Sequence, residues 1–106
     1  MPKYLVSATY NAEGLAGLQK DTASGRQKML KKAIKGLGGK LEAFYFCFGA
    51  DDAIVIADLP DNVSAAAINL AASSSGLVTT RTTVLLTVDE VDQALAMGTS
   101  YRAPGA

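Results

Sequence analysis

The stretch Gly38-Gly39-Lys40-Leu41-Glu42-Ala43-Phe44-Tyr45-Phe46-Cys47-Phe48-Gly49-Ala50-Asp51-Asp52-Ala53-Ile54-Val55-Ile56-Ala57 decides the fold. Gly38-Gly39 ends the helix before it, because glycine accepts the left-handed conformation that closes helices. Lys40 to Phe48 reads as a strand on its aromatic content. Gly49-Ala50-Asp51-Asp52 reads as a hairpin turn, and Ala53 to Ala57 as a nearly all-apolar strand. Side chains alternate across a strand, so Phe44, Phe46 and Phe48 oppose Ala43, Tyr45 and Cys47. Ile54 and Ile56 oppose Ala53, Val55 and Ala57 in the same way. Both faces of the hairpin are apolar, so a sheet built on it needs cover on both sides.

Upstream, Leu30, Ala33, Ile34 and Leu37 recur at helical spacing, a buried stripe with Lys28, Lys31, Lys32 and Lys35 on the outer side. Ser24-x-x-Gln27 has the form of a capping box opening that helix. Residues 20–25 separate it from an earlier one, capped by Asn11 and facing Leu15 and Leu18 inward. Lys3 to Thr9 is the first strand. Downstream, Asp61 caps a helix reaching about Ser74, and Gly76 leads into the β-branched strand Val78 to Val84. Thr87-x-x-Glu90 caps a short helix with Val88, Val91 and Leu95 inward. The order β-α-β-β-α-β plus a terminal helix predicts an α+β, ferredoxin-like domain over residues 1–97 and a tail over 98–106. Its antiparallel sheet carries both helices on one face and leaves the other open. A second copy is the simplest cover for that face, hence a homodimer. The alternative is that the terminal helix folds back over it.

Composition narrows function. With 106 residues the chain forms one domain, burying about 65% of its unfolded surface without disulfide or metal. Ten Lys and Arg balance ten Asp and Glu, which argues against nucleic acid or an anionic membrane as partner. No histidine is present, so the commonest general base and metal ligand are missing, and no cofactor is implied. One cysteine excludes an internal disulfide, a redox pair or a thiolate zinc centre. Met1-Pro2-Lys3 leads into Tyr4-Leu5-Val6 without the apolar run of a signal peptide, so a cytoplasmic protein is expected.

Few side chains remain for chemistry. Tyr10, Tyr45, Asp52 and Arg81 are the candidates for ligand binding. Arg81 lies mid-strand among Thr79 and Thr83, where a charge needs water or an anion. It would hold the carboxylate or phosphate of a small ligand, or else reach solvent or a cross-strand acid from an edge strand. Asp51 and Asp52 are adjacent and diverge in extended chain, so they form no catalytic pair. Gly36-x-Gly38-Gly39 follows a helix and reads as its C-cap, not a phosphate loop. Cys47 has no histidine to activate it and reads as a small core residue.

Gly38 to Phe46, then Phe48-Gly49 and Asp58-Leu59-Pro60-Asp61, resemble the GYD domain family. Tyr4-Leu5-Val6, Thr9-Tyr10, Arg81-Thr82 and Leu85-Leu86-Thr87 fit it too, so the likeness spans about 90 residues. The resemblance implies a small bacterial protein of dimeric α+β-barrel type and supplies no reaction. The family motif is Gly, any residue, Tyr, Asp; here Gly49 and Asp52 match while Asp51 replaces the tyrosine. Gly49 is otherwise explained as a positive-φ turn position and Asp52 as a tie to backbone N–H groups. Three readings follow. A homo-oligomeric small-molecule-binding or interaction module stands first. The alternative is a cofactor-free isomerase or monooxygenase acting on a small organic acid, resting on fold alone. The third is a structural assembly subunit.

Overall fold

Alternation along two central strands sets the core. The structure, a computed structural model, describes residues 1–106. In it β1 (Lys3–Tyr10) and β3 (Ala53–Asp58) pair antiparallel, with Tyr4 opposite Ala57, Val6 opposite Val55 and Ala8 opposite Ala53. This face is covered by α1 (Ala12–Gly36) and α2 (Asn62–Ser74). Ile34, Leu59 and Ala65 join Tyr4, Val55 and Ala57 in a single buried cluster. β2 (Lys40–Phe46) flanks β3, β4 (Val78–Leu85) flanks β1, and α3 (Val88–Met97) follows. The sheet order β2-β3-β1-β4, antiparallel throughout, is the expected ferredoxin-like α+β arrangement.

Short polar side chains start each helix. Asn11 Oδ1 accepts from Gly14 N at 2.8 Å, and Asp61 Oδ1 from Ser64 N at 2.9 Å. Thr87 and Glu90 form both halves of a capping box. Such caps contribute about 1 kcal/mol each. At the end of α1, Gly38 takes φ 83°, while Gly38 N and Gly39 N donate to Lys35 O and Ile34 O. That pattern is a Schellman motif, so Gly38-Gly39 does end the helix.

Several local expectations fail. The two early helices are one element, broken at Thr22, which sits at φ 70° and ψ 162°. Its Oγ1 accepts from Gly25 N at 3.1 Å, so Thr22 and not Ser24 caps the second half. Leu15 is exposed because the first half of α1 buries only Gly14, which sits against the Leu77 carbonyl and Tyr10. β2 stops at Phe46, where Cys47 N turns to Asp52 O, and Phe48 is fully exposed in the loop. Gly49 is not at positive φ; the turn closes through Gly49 N to Asp51 O instead. Val88, Val91 and Leu95 do not face inward, since α3 buries none of its residues and covers no sheet face.

The molecule is open for its size. Only 9 of 106 residues are buried, and the accessible surface is 7465 Å². A compact monomer of this mass exposes about 5,600 Å². The radius of gyration is 16.8 Å, against about 13 Å for a compact domain of 100 residues. The face of the sheet away from the helices holds Leu5, Ile54, Ile56, Ala43, Tyr45 and Leu85 with nothing over them. No helix is long and apolar enough to cross a membrane.

Candidate functional site

Small side chains leave space between the sheet and its helices. The inward stripe of α2 is Ala65, Ile68, Asn69 and Ala72, and the sheet floor below carries Ala8, Ala53 and Ala57. Alanines there do not reach across to α1, so the layers stay apart. An inner cavity of about 70 Å³ lies over the sheet and an outer cleft of about 350 Å³ lies between α1 and α2. Tyr10, Arg26, Leu30, Ile68, Ala72 and Val78 line both, so they are two ends of one space. The outer volume falls in the range of small-molecule sites, about 300–1,000 Å³.

Two polar groups stand out in this apolar lining. Arg26 is half-buried and enters none of the three ion pairs of the chain. Tyr10 reaches the cleft from the end of β1, and no group in the chain hydrogen-bonds its hydroxyl. Asn69 is already engaged, donating to Ala65 O at 2.7 Å. Asp21 stands at the mouth, one residue before the break at Thr22. A non-glycine residue at that φ and ψ stores about 1–3 kcal/mol of strain, and such strain concentrates at functional sites.

The four residues singled out from sequence do not converge. Tyr10 lies in the cleft, and Asp52 holds it from behind. Asp52 Oδ2 accepts from Tyr10 N at 2.8 Å, and Asp52 N donates to Ala8 O at 2.9 Å. Tyr45 and Arg81 lie on the opposite, open face. There Tyr45, Ile54, Ser7 and Arg81 form one row across the four strands, so the first and last are about 14 Å apart. Arg81 Nη2 donates to both oxygens of Asp51, at 2.7 and 2.9 Å, from a side chain 70% exposed. Its anion is therefore an acid of the chain itself, in the β2–β3 loop.

Arg26 was missed by sequence reasoning, yet the period contains it. Positions 26, 30 and 34 repeat every four residues, which sets Arg26 on the same inward stripe as Leu30 and Ile34.

The other charges serve structure. Lys3 Nζ bridges Glu42 at 2.7 Å and Asp58 at 2.9 Å, and the Glu42 hydrogen bond chiefly raises its pKa. Asp61 is held below its ordinary value mainly by the backbone N–H of Ser64. Cys47 Sγ donates to Asp51 O at 3.1 Å inside the loop. No three acidic or thiol side chains gather as metal ligands.

No curated protein and no solved structure matches the chain. The family model of the GYD domain matches residues 4–95, from the second residue of β1 to two residues short of the end of α3. The chain therefore belongs to the GYD domain family.

Proposed function

We propose that this protein is a homodimeric binding module that takes a largely apolar, anionic small molecule into the cleft between its sheet and helices. The observation that carries the reading is Arg26, a half-buried arginine in no ion pair that lines a largely apolar cleft. A cation held that way is costly unless an anion meets it, and a guanidinium matches a carboxylate in two-point geometry. The Tyr10 hydroxyl supplies a second polar contact, and the alanine floor accepts an apolar body.

The dimer is supported by the open face. Its apolar centre is bounded at one end by Lys3 with Glu42 and Asp58, and at the other by Arg81 with Asp51. An apolar centre with a charged rim is the usual anatomy of an interface. The surface excess over a compact monomer, about 1,800 Å², matches what one partner buries in an obligate dimer. We place the protein in the cytoplasm, where the free thiol of Cys47 stays reduced.

Thermal unfolding with a panel of aliphatic and aromatic carboxylates, each beside its neutral amide, tests the binding reading. Carboxylates are expected to raise Tm and amides to leave it unchanged. Equal shifts from both members of each pair, or none from any carboxylate, overturn it. Light scattering behind size exclusion tests the dimer, and a monomer at every concentration removes it.

A further inference from the structure

The terminal helix has an apolar stripe and no place in its own chain to bury it. Val88, Val91 and Leu95 recur at i, i+3 and i+7 on α3 and are 82%, 41% and 75% exposed. A ten-residue helix in water is marginal, and packing of its apolar face normally holds it. The charge of α3 is wholly negative: Asp89, Glu90 and Asp92, with no basic residue. Asp89 and Asp92, three apart, flank the stripe on one side.

A groove with the complementary character lies at the far edge of the sheet. It holds about 430 Å³ between α1 and β2, with Leu41 and Phe44 as its apolar floor, Lys28 and Lys31 on the wall, and Glu42, already paired to Lys3, also lining it. Neither lysine enters an ion pair. Its own α3 does not occupy the groove, since α3 buries none of its residues. Only Leu86 and Thr87 link β4 to α3, a span of about 7–10 Å. From β4 to β2 is about 14 Å across three strand spacings, before the groove is reached.

We propose that α3 is an exchanged arm that docks in the α1–β2 groove of a second copy of this chain. Val88, Val91 and Leu95 then cover Leu41 and Phe44, while Asp89 and Asp92 face Lys28 and Lys31. In a face-to-face pair whose two-fold axis runs along the strands, the β4 edge of one copy overlies the β2 edge of the other. Each α3 thus starts beside the partner's β2 edge and passes round it to the groove on the helix side, and the contact closes on itself twice. The proposal rests on the homodimer reading and adds to it the element that locks the pair.

The test uses the full chain in a Cys47→Ser background carrying Lys31→Cys and Asp92→Cys together. Oxidation is expected to give a covalent dimer on a non-reducing gel; a link within one chain, or no link, overturns the proposal. In parallel, Asp92→Lys and Lys31→Glu should each weaken dimerisation about three- to ten-fold, with the double reversal recovering it. Leu95→Asp should weaken it by about a hundred-fold or more. If the unaltered protein is a dimer and these variants dimerise equally well, the arm is elsewhere while the homodimer stands. If the unaltered protein is a monomer, both fall.

Discussion

Replacing Arg26 with methionine should make the unliganded protein more stable and the binding site worse. Methionine keeps the apolar stem along Leu30 and Ile68 and removes the guanidinium. Arg26 has no counter-ion to lose, so the change removes only the penalty of a partly desolvated cation. Because the group is half-buried, that gain is about 0.5–1 kcal/mol. In a domain of this size it raises Tm by about 2–8 °C. Binding moves the other way. A hydrogen bond to a charged group contributes about 1.5–3 kcal/mol, so a carboxylate ligand should bind about ten- to a hundred-fold more weakly. A ligand at a hundred times its Kd stabilises the unaltered protein by about 2.7 kcal/mol, and Arg26→Met by only about 0.4–1.4 kcal/mol at the same concentration. Differential scanning calorimetry with and without ligand, beside titration calorimetry, reads both signs from one pair of samples. A variant that loses more than about 1 kcal/mol of unliganded stability would show that Arg26 is a structural cation. An unchanged ligand shift would show that it is not the anchor.

Thr22→Gly removes a side chain from φ 70° and ψ 162°, relieving about 1–3 kcal/mol of strain. The lost cap to Gly25 N and the added chain entropy offset part of this, so chemical denaturation should show a net gain of about 1 kcal/mol. Gly39→Ala should lose about 2–3 kcal/mol, because the new Cβ would run into the Asp58 carbonyl and lie 2.8 Å from Leu59 Cδ2. Gly36→Ala, where a Cβ meets nothing, should be neutral or gain up to about 1 kcal/mol. The Asp61 cap gives a pH signature. Its carboxyl titrates below the ordinary 3.8, mainly through Ser64 N, so its contribution is complete above that value and disappears as pH falls through the folded pKa. Asp61→Asn keeps an uncharged cap, and its unfolding curves should lose that component of the acid dependence between about pH 4 and 2.

The chain order and the sheet were legible because each signal was local. Alternation in Phe44 to Phe46 and Ala53 to Ala57, the caps Asn11, Asp61 and Thr87, and the stop at Gly38-Gly39 all act within a few residues. What failed depended on distance. Whether Leu15 or Leu95 is covered depends on what stands opposite, and no window of sequence contains that. The break at Thr22 is a case of two caps competing. Ser24-x-x-Gln27 fits the capping pattern, yet Thr22 two residues earlier takes the Gly25 N–H and moves the start of the second half. At the site, Asp52, a candidate for ligand binding whose other reading was a tie to backbone, accepts from Tyr10 N, and Tyr10 lines the cleft. The anion expected for Arg81 came from Asp51, the residue standing where the family motif carries tyrosine.

Apolar residues on both faces of the hairpin pose one question at the level of sequence, and in the structure the two faces differ. What separates them is where charge is left uncompensated. On the open face the flanking charges are already matched: Lys3 by Glu42 and Asp58, Arg81 by Asp51. Burying such a face against a second copy leaves no ion alone, which is the condition an interface has to meet. On the helix side Arg26 remains unmatched, and filling that cleft with another apolar surface would bury a bare cation. Under the proposed function the cleft favours an occupant that brings its own negative charge to Arg26 and is small enough for about 350 Å³. Under the exchanged-arm proposal the α1–β2 groove meets the same criterion a third time: Lys28 and Lys31 enter no ion pair, Glu42 is already matched by Lys3, and the acidic α3 would answer the two lysines. Reversing Arg26 to glutamate should therefore turn ligand preference from carboxylates towards cations while leaving dimerisation intact. Lys31→Glu should do the opposite, weakening the dimer while leaving the cleft's preference unchanged. If either variant moved both properties together, the separation of the two surfaces by charge would be wrong.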